Sequence, residues 1–239
     1  MAGSVTTAIP NSALAEFLSG GHCFMPPQAA VAVTQSSSAS GTLTTAQAGI
    51  AVGMAQTGTN AGAGAVVATL GPTATAYTTS VASTGALTSA TFTGDVFKIL
   101  LLGSTLAGNI AYGTLTTNVG TPGSGTPSQA NVGTDEATGT GYSSGGLALT
   151  NAALVQTNPV NSAAVGFSNT IQWTGATLSV SGAIIYNTST RLSAAAAPEN
   201  NRPVGVYSFG GTQSVTSGTL TLTQPTQDGH TGLIRLSPN

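Results

Sequence analysis

The stretch Thr177-Leu178-Ser179-Val180-Ser181-Gly182-Ala183-Ile184-Ile185-Tyr186 decides the fold class. Leu178, Val180, Ile184 and Tyr186 all fall on even positions, so an extended chain sets them on one apolar face. Gly182 interrupts that face and marks a bulge. Further along, Leu220 and Leu222 alternate with Thr219, Thr221 and Thr223, which gives a second strand with one apolar and one hydroxyl face. Other short apolar segments at 95–102, 145–150, 171–173, 204–209 and 232–236 are separated by turn residues. Several short strands of this kind predict an all-β, sandwich or jelly-roll-like domain over residues 95–239. Its loosest point is the loop through Gly120-Thr121-Pro122-Gly123-Ser124-Gly125-Thr126-Pro127.

Toward the N-terminus the pattern changes. Asn11-Ser12-Ala13-Leu14-Ala15-Glu16-Phe17-Leu18-Ser19-Gly20 predicts one short helix, capped by Asn11 or Ser12 and closed by Gly20 or Gly21. Leu14, Phe17 and Leu18 would form its apolar face. Residues 1–24 are expected to be an arm that packs on the main domain. From 25 to 94 the chain is low in complexity, with tracts such as Ser36-Ser37-Ser38-Ala39-Ser40-Gly41 between strand candidates at 29–33, 50–54, 66–70 and 77–81. A flexible linker and a small β insertion held by neighbouring subunits both fit. The scarcity of large side chains points to a thin core, and the favoured expectation is a β insertion or extended arms ordered by contacts.

The 239 residues carry four Lys+Arg and six Asp+Glu, 4 % charged, against roughly 25 % in an average soluble protein. Thr, Ala, Gly and Ser together fill more than half of the chain. Four cations cannot build a phosphate-binding patch, so no nucleic-acid partner is expected. The strongest apolar run, Val96 to Leu102, is short and contains Lys98. A spanning helix needs about 20 apolar residues, so no membrane partner is expected either. The N-terminus has no basic segment leading into an apolar one, and Sec export is not expected. One cysteine, Cys23, rules out a disulfide framework within the chain and fits synthesis in a reducing cytoplasm. With so little charge to keep copies apart, the chain reads as a component of an assembly.

Few residues suggest chemistry. His22-Cys23 is the one nucleophile–base adjacency, but neighbours on a strand point to opposite faces and no carboxylate lies near in sequence, so a buried thiol beside a bonded imidazole is expected. Asp135-Glu136 forms a carboxylate pair, with Glu16, Asp95, Glu199 and Asp228 as the remaining acids for a glycosidase arrangement. Thr134 with Asp135 and Glu136 lacks the spacing of a calcium loop. Lys98 follows no phosphate-binding Gly-rich motif. Asp228-Gly229 signals a turn that exposes His230. Trp173 reads as core more readily than as a sugar platform. Arg191 and Arg202 flank an Ala-rich loop at 193–198 and are candidates to pair with Glu199 or with a neighbouring subunit. The expectation is no catalytic, cofactor or metal residue, and no enzyme.

One block is more specific. Asp135-Glu136-Ala137-Thr138-Gly139-Thr140-Gly141-Tyr142-Ser143-Ser144-Gly145-Gly146-Leu147-Ala148-Leu149-Thr150 resembles the E-x-S/T-G-T-G-Y-x-x-G-G pattern of a group of tailed-bacteriophage virion proteins. Segments at 8–12, 16–18, 21–24, 95–101, 171–173, 183–187, 201–204 and 207–210 match that group in the same order, and together they span roughly 150 of the 239 residues. Members usually run almost directly from the His-x-Phe segment to the Asp-x-Phe-Lys strand, so the low-complexity region at 25–94 stands as an insertion. The resemblance implies a small β-rich virion protein that decorates or cements the capsid. Its implied partners are the major capsid protein and other virion proteins, its implied state a homotrimer, and its implied place the virion, assembled in the host cytoplasm. A tail, neck or fibre component engaged in host adhesion is the alternative. The insertion is the part expected to fasten the chain to the shell.

Overall fold

The computed structural model describes residues 6–18, 21–44, 49–71, 73, 75–106, 108, 110–157, 162–189, 201–226 and 233–236. In chain order the elements are β1 (Thr6–Ala8), α1 (Asn11–Leu18), β2 (Gln28–Ser36), β3 (Ser40–Leu43), β4 (Ala55–Thr57), β5 (Val67–Leu70), β6 (Ala76–Thr79) and β7 (Ala86–Thr93). Then follow β8 (Phe97–Gly103), a single 3-10 turn at Gly133–Asp135, β9 (Leu147–Leu149), β10 (Val155–Thr157), β11 (Ser162–Val165), β12 (Ile171–Asn187), β13 (Arg202–Leu222) and β14 (Ile234–Leu236). The protein is all-β, with antiparallel pairing throughout these strands and, among the described residues, one short α-helix. The chain divides into two compact units, residues 1–19, 96–150 and 168–224 in the first, and 20–95, 151–167 and 225–239 in the second.

The first unit is built on a five-stranded sheet in the order β1-β13-β12-β8-β9. Its spine is the long β12–β13 hairpin. The segments 171–173 and 177–186, expected as two strands, are one, because β12 carries its pairing through Gly175 at φ +58° and resumes with Ala176 opposite Gly218. Likewise 204–209 and 219–223 merge into β13. The bulge expected at Gly182 is present: the register shifts between Val180 and Gly182, and a Cβ at Gly182 would press on the Tyr207 carbonyl. Beyond it the even-position face gives way to burial on both sides, with Ala183, Ile184, Ile185 and Tyr186 at most 2 % exposed. The facing strand β8 is apolar at Ile99, Leu100, Leu101 and Leu102, as a strand covered on both faces must be. Leu100, Leu102, Ile184, Tyr186 and Val206 pack with Val119 and Val132 from the long loop after β8. Each such side chain contributes about 1.5–3 kcal/mol by leaving water. The Gly120–Pro127 stretch of that loop is tied back, Gly123 N–H donating to Gly133 O.

Helix α1 spans the expected residues, but its buried face is turned by one position. Ala13 is fully buried and Leu14 is 47 % exposed, with Glu16 and Phe17 half-buried. The reason is electrostatic. Glu16 Oε2 accepts a hydrogen bond from Arg202 Nη1 at 3.2 Å, and Arg202 is buried on β13. The helix therefore presents its one carboxylate, in place of Leu14, to the sheet. Of the two expected caps, Asn11 and Ser12, the Ser12 hydroxyl donates to Thr116 O.

The second unit contains a six-stranded sheet in the order β4-β7-β2-β3-β6-β5. An Ala55↔Val66 bridge joins the β4 and β5 ends, so the sheet nearly closes into a barrel. The thin core expected here is instead filled: Val31, Val33, Leu43, Met54, Val67, Tyr77, Leu87 and Phe92 are 4 % exposed or less. Tyr77 and Phe92 meet edge to face at 5.5 Å. Gly41 lies opposite Tyr77 in the ladder, and a Cβ there would run into the phenol ring. The segment 50–54, expected as a strand, is a turn held by the buried side chains of Ile50 and Met54, with Gly53 at φ +89°. A second, three-stranded sheet, β10-β11-β14, belongs to the same unit. The C-terminal half is thus not one sandwich over 95–239. Residues 151–167 and 225–239 leave it for the unit that holds 25–94, and the N-terminal arm is divided after residue 19.

Candidate functional site

The densest polar constellation is the block that begins at Asp135-Glu136. The 3-10 turn at Gly133–Asp135 directs both acids inward, and both are buried, at 0 % and 3 % exposure. Asp135 Oδ1 accepts from Gly108 N–H at 3.1 Å, and Oδ2 accepts from the Tyr112 hydroxyl at 3.0 Å. Glu136 Oε1 accepts from the Tyr142 hydroxyl at 2.7 Å and from Gly145 N–H at 2.6 Å. Its Oε2 accepts from the Ser144 hydroxyl at 2.6 Å. The glutamate thus stands at the centre of the loop that follows it, and Tyr142, Ser144 and Gly145 close onto its two oxygens.

The rest of the block fixes that loop to the sheet. Leu101 N–H donates to the Tyr142 oxygen at 3.1 Å, and the Tyr186 hydroxyl donates to Gly145 O at 2.7 Å. Thr140 bridges Thr177 of β12, and the Tyr142 and Trp173 rings lie 6.2 Å apart. Gly146, at φ +74°, passes so close to the Ile99 carbonyl that any Cβ would collide with it. Burial raises the Tyr142 phenol well above its ordinary value. The Leu101 donor works against that rise, while the hydrogen bond to Glu136 and its charge add to it. Burial, with Glu136 assisting, pushes Tyr186 up to about 12. Tyr112 is raised by burial and then by Asp135. All three phenols are donors held in their protonated form.

No known protein family, characterised protein or solved structure matches this chain.

The other candidates are scattered. Cys23 is buried, and its backbone N–H donates to Asp95 Oδ2 at 2.9 Å, so a carboxylate 72 positions away serves the main chain at Cys23. Asn151 Nδ2 donates to Asp95 O and to Met25 O, which joins the segment leading into β10 to the same corner. His22 lies beside Phe24, with ring centroids 6.1 Å apart. Trp173 is 5 % exposed and takes the core position expected of it. Arg202 pairs with Glu16, a partner not among those expected from the sequence, and among the described residues its Nε and Nη2 have no hydrogen-bond partner. Lys98 sits on β8 opposite Tyr186. Arg191, Glu199, Asp228 and His230 lie outside the described residues. Among the described residues, no three His, Cys, Asp or Glu side chains gather as a metal site, and no helix is long and apolar enough to cross a membrane.

Sequence reasoning found Asp135 and Glu136 but not the tyrosines that hold them. Tyr142 and Ser144 stand six and eight residues after Glu136, within the 135–150 block. Gly108 and Tyr112 come from a preceding loop with no motif of its own, and only the fold brings them to Asp135.

Proposed function

We propose that this chain is a non-enzymatic structural component of a tailed-bacteriophage virion, which decorates or cements the capsid. The observation that carries the reading is the use made of the 135–150 block: the acids of the phage-like pattern are buried and spent on holding their own loop. A glycosidase needs carboxyl groups that reach a sugar, and these oxygens face tyrosine, serine and backbone donors. The near-absence of charge also suits a surface covered by neighbours, where Thr and Ser hydroxyls make hydrogen bonds without the desolvation cost of ions.

In this reading the chain assembles in the host cytoplasm as a homotrimer and binds the major capsid protein and other virion proteins, with no nucleic-acid or membrane partner. Each contact repeats over the shell, so modest affinity per site gives stable occupancy. The long, hydroxyl-rich β12–β13 ribbon favours a second reading, a tail, neck or fibre component. Quantitative mass spectrometry of purified particles separates the two. Hundreds of copies per particle support the shell reading, roughly three to twenty support the tail or fibre reading, and absence from the particle refutes both.

A further inference from the structure

Among the described residues the outer edge of β13 is open beyond Ser208. β1 pairs with β13 only at Val206, Tyr207 and Ser208, and among the described residues nothing pairs with its outer side from Phe209 to Leu222. Residues 203–226 contain no charged side chain. Edge strands usually carry charge, proline or cover because a bare ladder templates pairing with another chain. The apolar face also ends unfinished here: Trp173, Leu178 and Ile171 of β12 are buried, whereas their direct partners Leu220, Val215 and Leu222 are only half-buried. A further strand along this edge would extend the ladder and cover their outer flank.

We propose that this added strand is β13 of a second copy of the chain, paired antiparallel about a two-fold axis between Ser217 and Gly218. Two features select a second copy. First, the register shift between Ala176 and Leu178, with Ser217 at φ +48°, moves the inward-facing row from odd positions (Gln213, Val215) to even ones (Gly218, Leu220, Leu222). In the proposed register Val215 meets Leu220 and Gln213 meets Leu222, while Ser214 meets Thr221 and Thr216 meets Thr219. In these four pairs half-buried positions meet half-buried ones and exposed positions meet exposed ones, and a slip by one residue would set Val215 and Leu220 against hydroxyl side chains. Second, a bulge bends an edge strand, so a partner must bend at the same place, and another β13 does. The ladder over residues 213–222 would be about 33 Å long. The contact deepens the virion reading by naming one of its interfaces, but it belongs to the isolated chain as well. A trimer has no two-fold axis, so this contact would join copies of two trimers.

The test uses two variants of the full chain, Thr216→Cys and Thr219→Cys, both at exposed positions. Under mild oxidation an equimolar mixture should give a disulfide-linked dimer on a non-reducing gel. Each variant alone should give far less, since neither residue faces its own copy, and the parent chain with buried Cys23 should give none. A mixture that cross-links no more than the single variants would overturn the register. A second measurement addresses the interface itself. Thr216→Lys/Thr219→Lys sets ammonium groups opposite one another and should weaken self-association at least tenfold in sedimentation equilibrium, with Trp173 fluorescence unchanged. Self-association equal to the parent's would overturn the interface. Neither outcome depends on where the chain sits in a particle, so copy number in the virion still judges the functional reading separately.

Discussion

The 135–146 loop of the first unit and the barrel of the second solve one problem with different chemistry. Each must hold polar side chains inside a fold that has few large residues. The loop does so with carboxylates: Asp135 and Glu136 gather hydroxyl and backbone donors around ionisable oxygens. The barrel does so with neutral groups. Gln56 Nε2 donates to the Tyr77 hydroxyl at 2.7 Å and to Gln35 Oε1 at 3.2 Å, and Gln35 Nε2 donates to Ser38 O and Thr79 Oγ1. From Phe17 to Gly94 there is no Asp, Glu, Lys or Arg. Both devices satisfy buried polar atoms. Burial raises the phenol of Tyr77 in the barrel as well, but the first unit holds four such phenols and should respond to pH more strongly.

Alkaline pH should break that symmetry most. Four of the five tyrosines, Tyr112, Tyr142, Tyr186 and Tyr207, lie in the first unit, and all four are raised, each first of all by burial. A phenol whose folded pKa is raised adds stability that is complete below its unfolded value near 10 and is lost as pH rises toward the folded value. For Tyr142, Tyr186 and Tyr207 together the loss is on the order of 4 kcal/mol by pH 11. Phenolate absorbance at 295 nm should stay low through pH 10, and Tyr186 should ionise only near 12. Hydrogen exchange resolved by peptide should show the first unit losing protection first. Loss of protection in residues 28–93 ahead of it would contradict the contrast.

Next in size is Glu136→Ala. It leaves the Tyr142 hydroxyl and Gly145 N–H without their acceptor and the Ser144 hydroxyl with Pro122 O alone. The expected cost is about 3 kcal/mol, read as a lower urea midpoint followed by Trp173 fluorescence, since Tyr142 lies against that ring. Glu136→Gln keeps one carbonyl acceptor but turns an amide toward donors, so it should lie between the two. An alanine variant as stable as the parent would mean that the carboxylate does not organise the loop.

The corresponding break in the barrel is steric. Gly41→Ala drives a methyl into the Tyr77 ring and should cost about 2 kcal/mol. The double variant Gly41→Ala/Tyr77→Leu should cost less than the sum of the two single changes, because the smaller side chain vacates the space. Additive costs would place the Gly41 requirement in the backbone instead of the ring.

These contrasts also explain what the sequence made legible. Strong alternation marked β12 and the Gly182 bulge, because Leu178, Val180, Ile184 and Tyr186 are large and their period is clean. It failed where strands are made of small polar residues. Residues 210–218 of β13 resemble a Gly/Ser/Thr loop and become strand because β12 lies beside them to supply the ladder. β7 escaped notice because shifts in its register with β2 break the spacing of Leu87, Ala90 and Phe92. For the candidate site, the acids were visible in the sequence and their bonding was not. Tyr112 and Gly108 reach Asp135 across more than twenty residues, a distance that no local pattern encodes.

The smallest expected effect is ionic. Screening acts on exposed charges and little on buried ones, and the one ion pair among the described residues, Arg202–Glu16, is largely enclosed, with its side chains 4 % and 17 % exposed. The barrel strands have no ion at all to screen. Raising NaCl to roughly 0.5 M should therefore leave exchange protection of residues 28–93 within about 0.5 kcal/mol of its low-salt value. The first unit should move hardly more, because the carboxylates of Asp135 and Glu136 are covered by their own donors. A fall larger than that in the barrel would mean that a charge from elsewhere in the chain supports it, and the division between a charged and a neutral way of holding the interior would have to be redrawn.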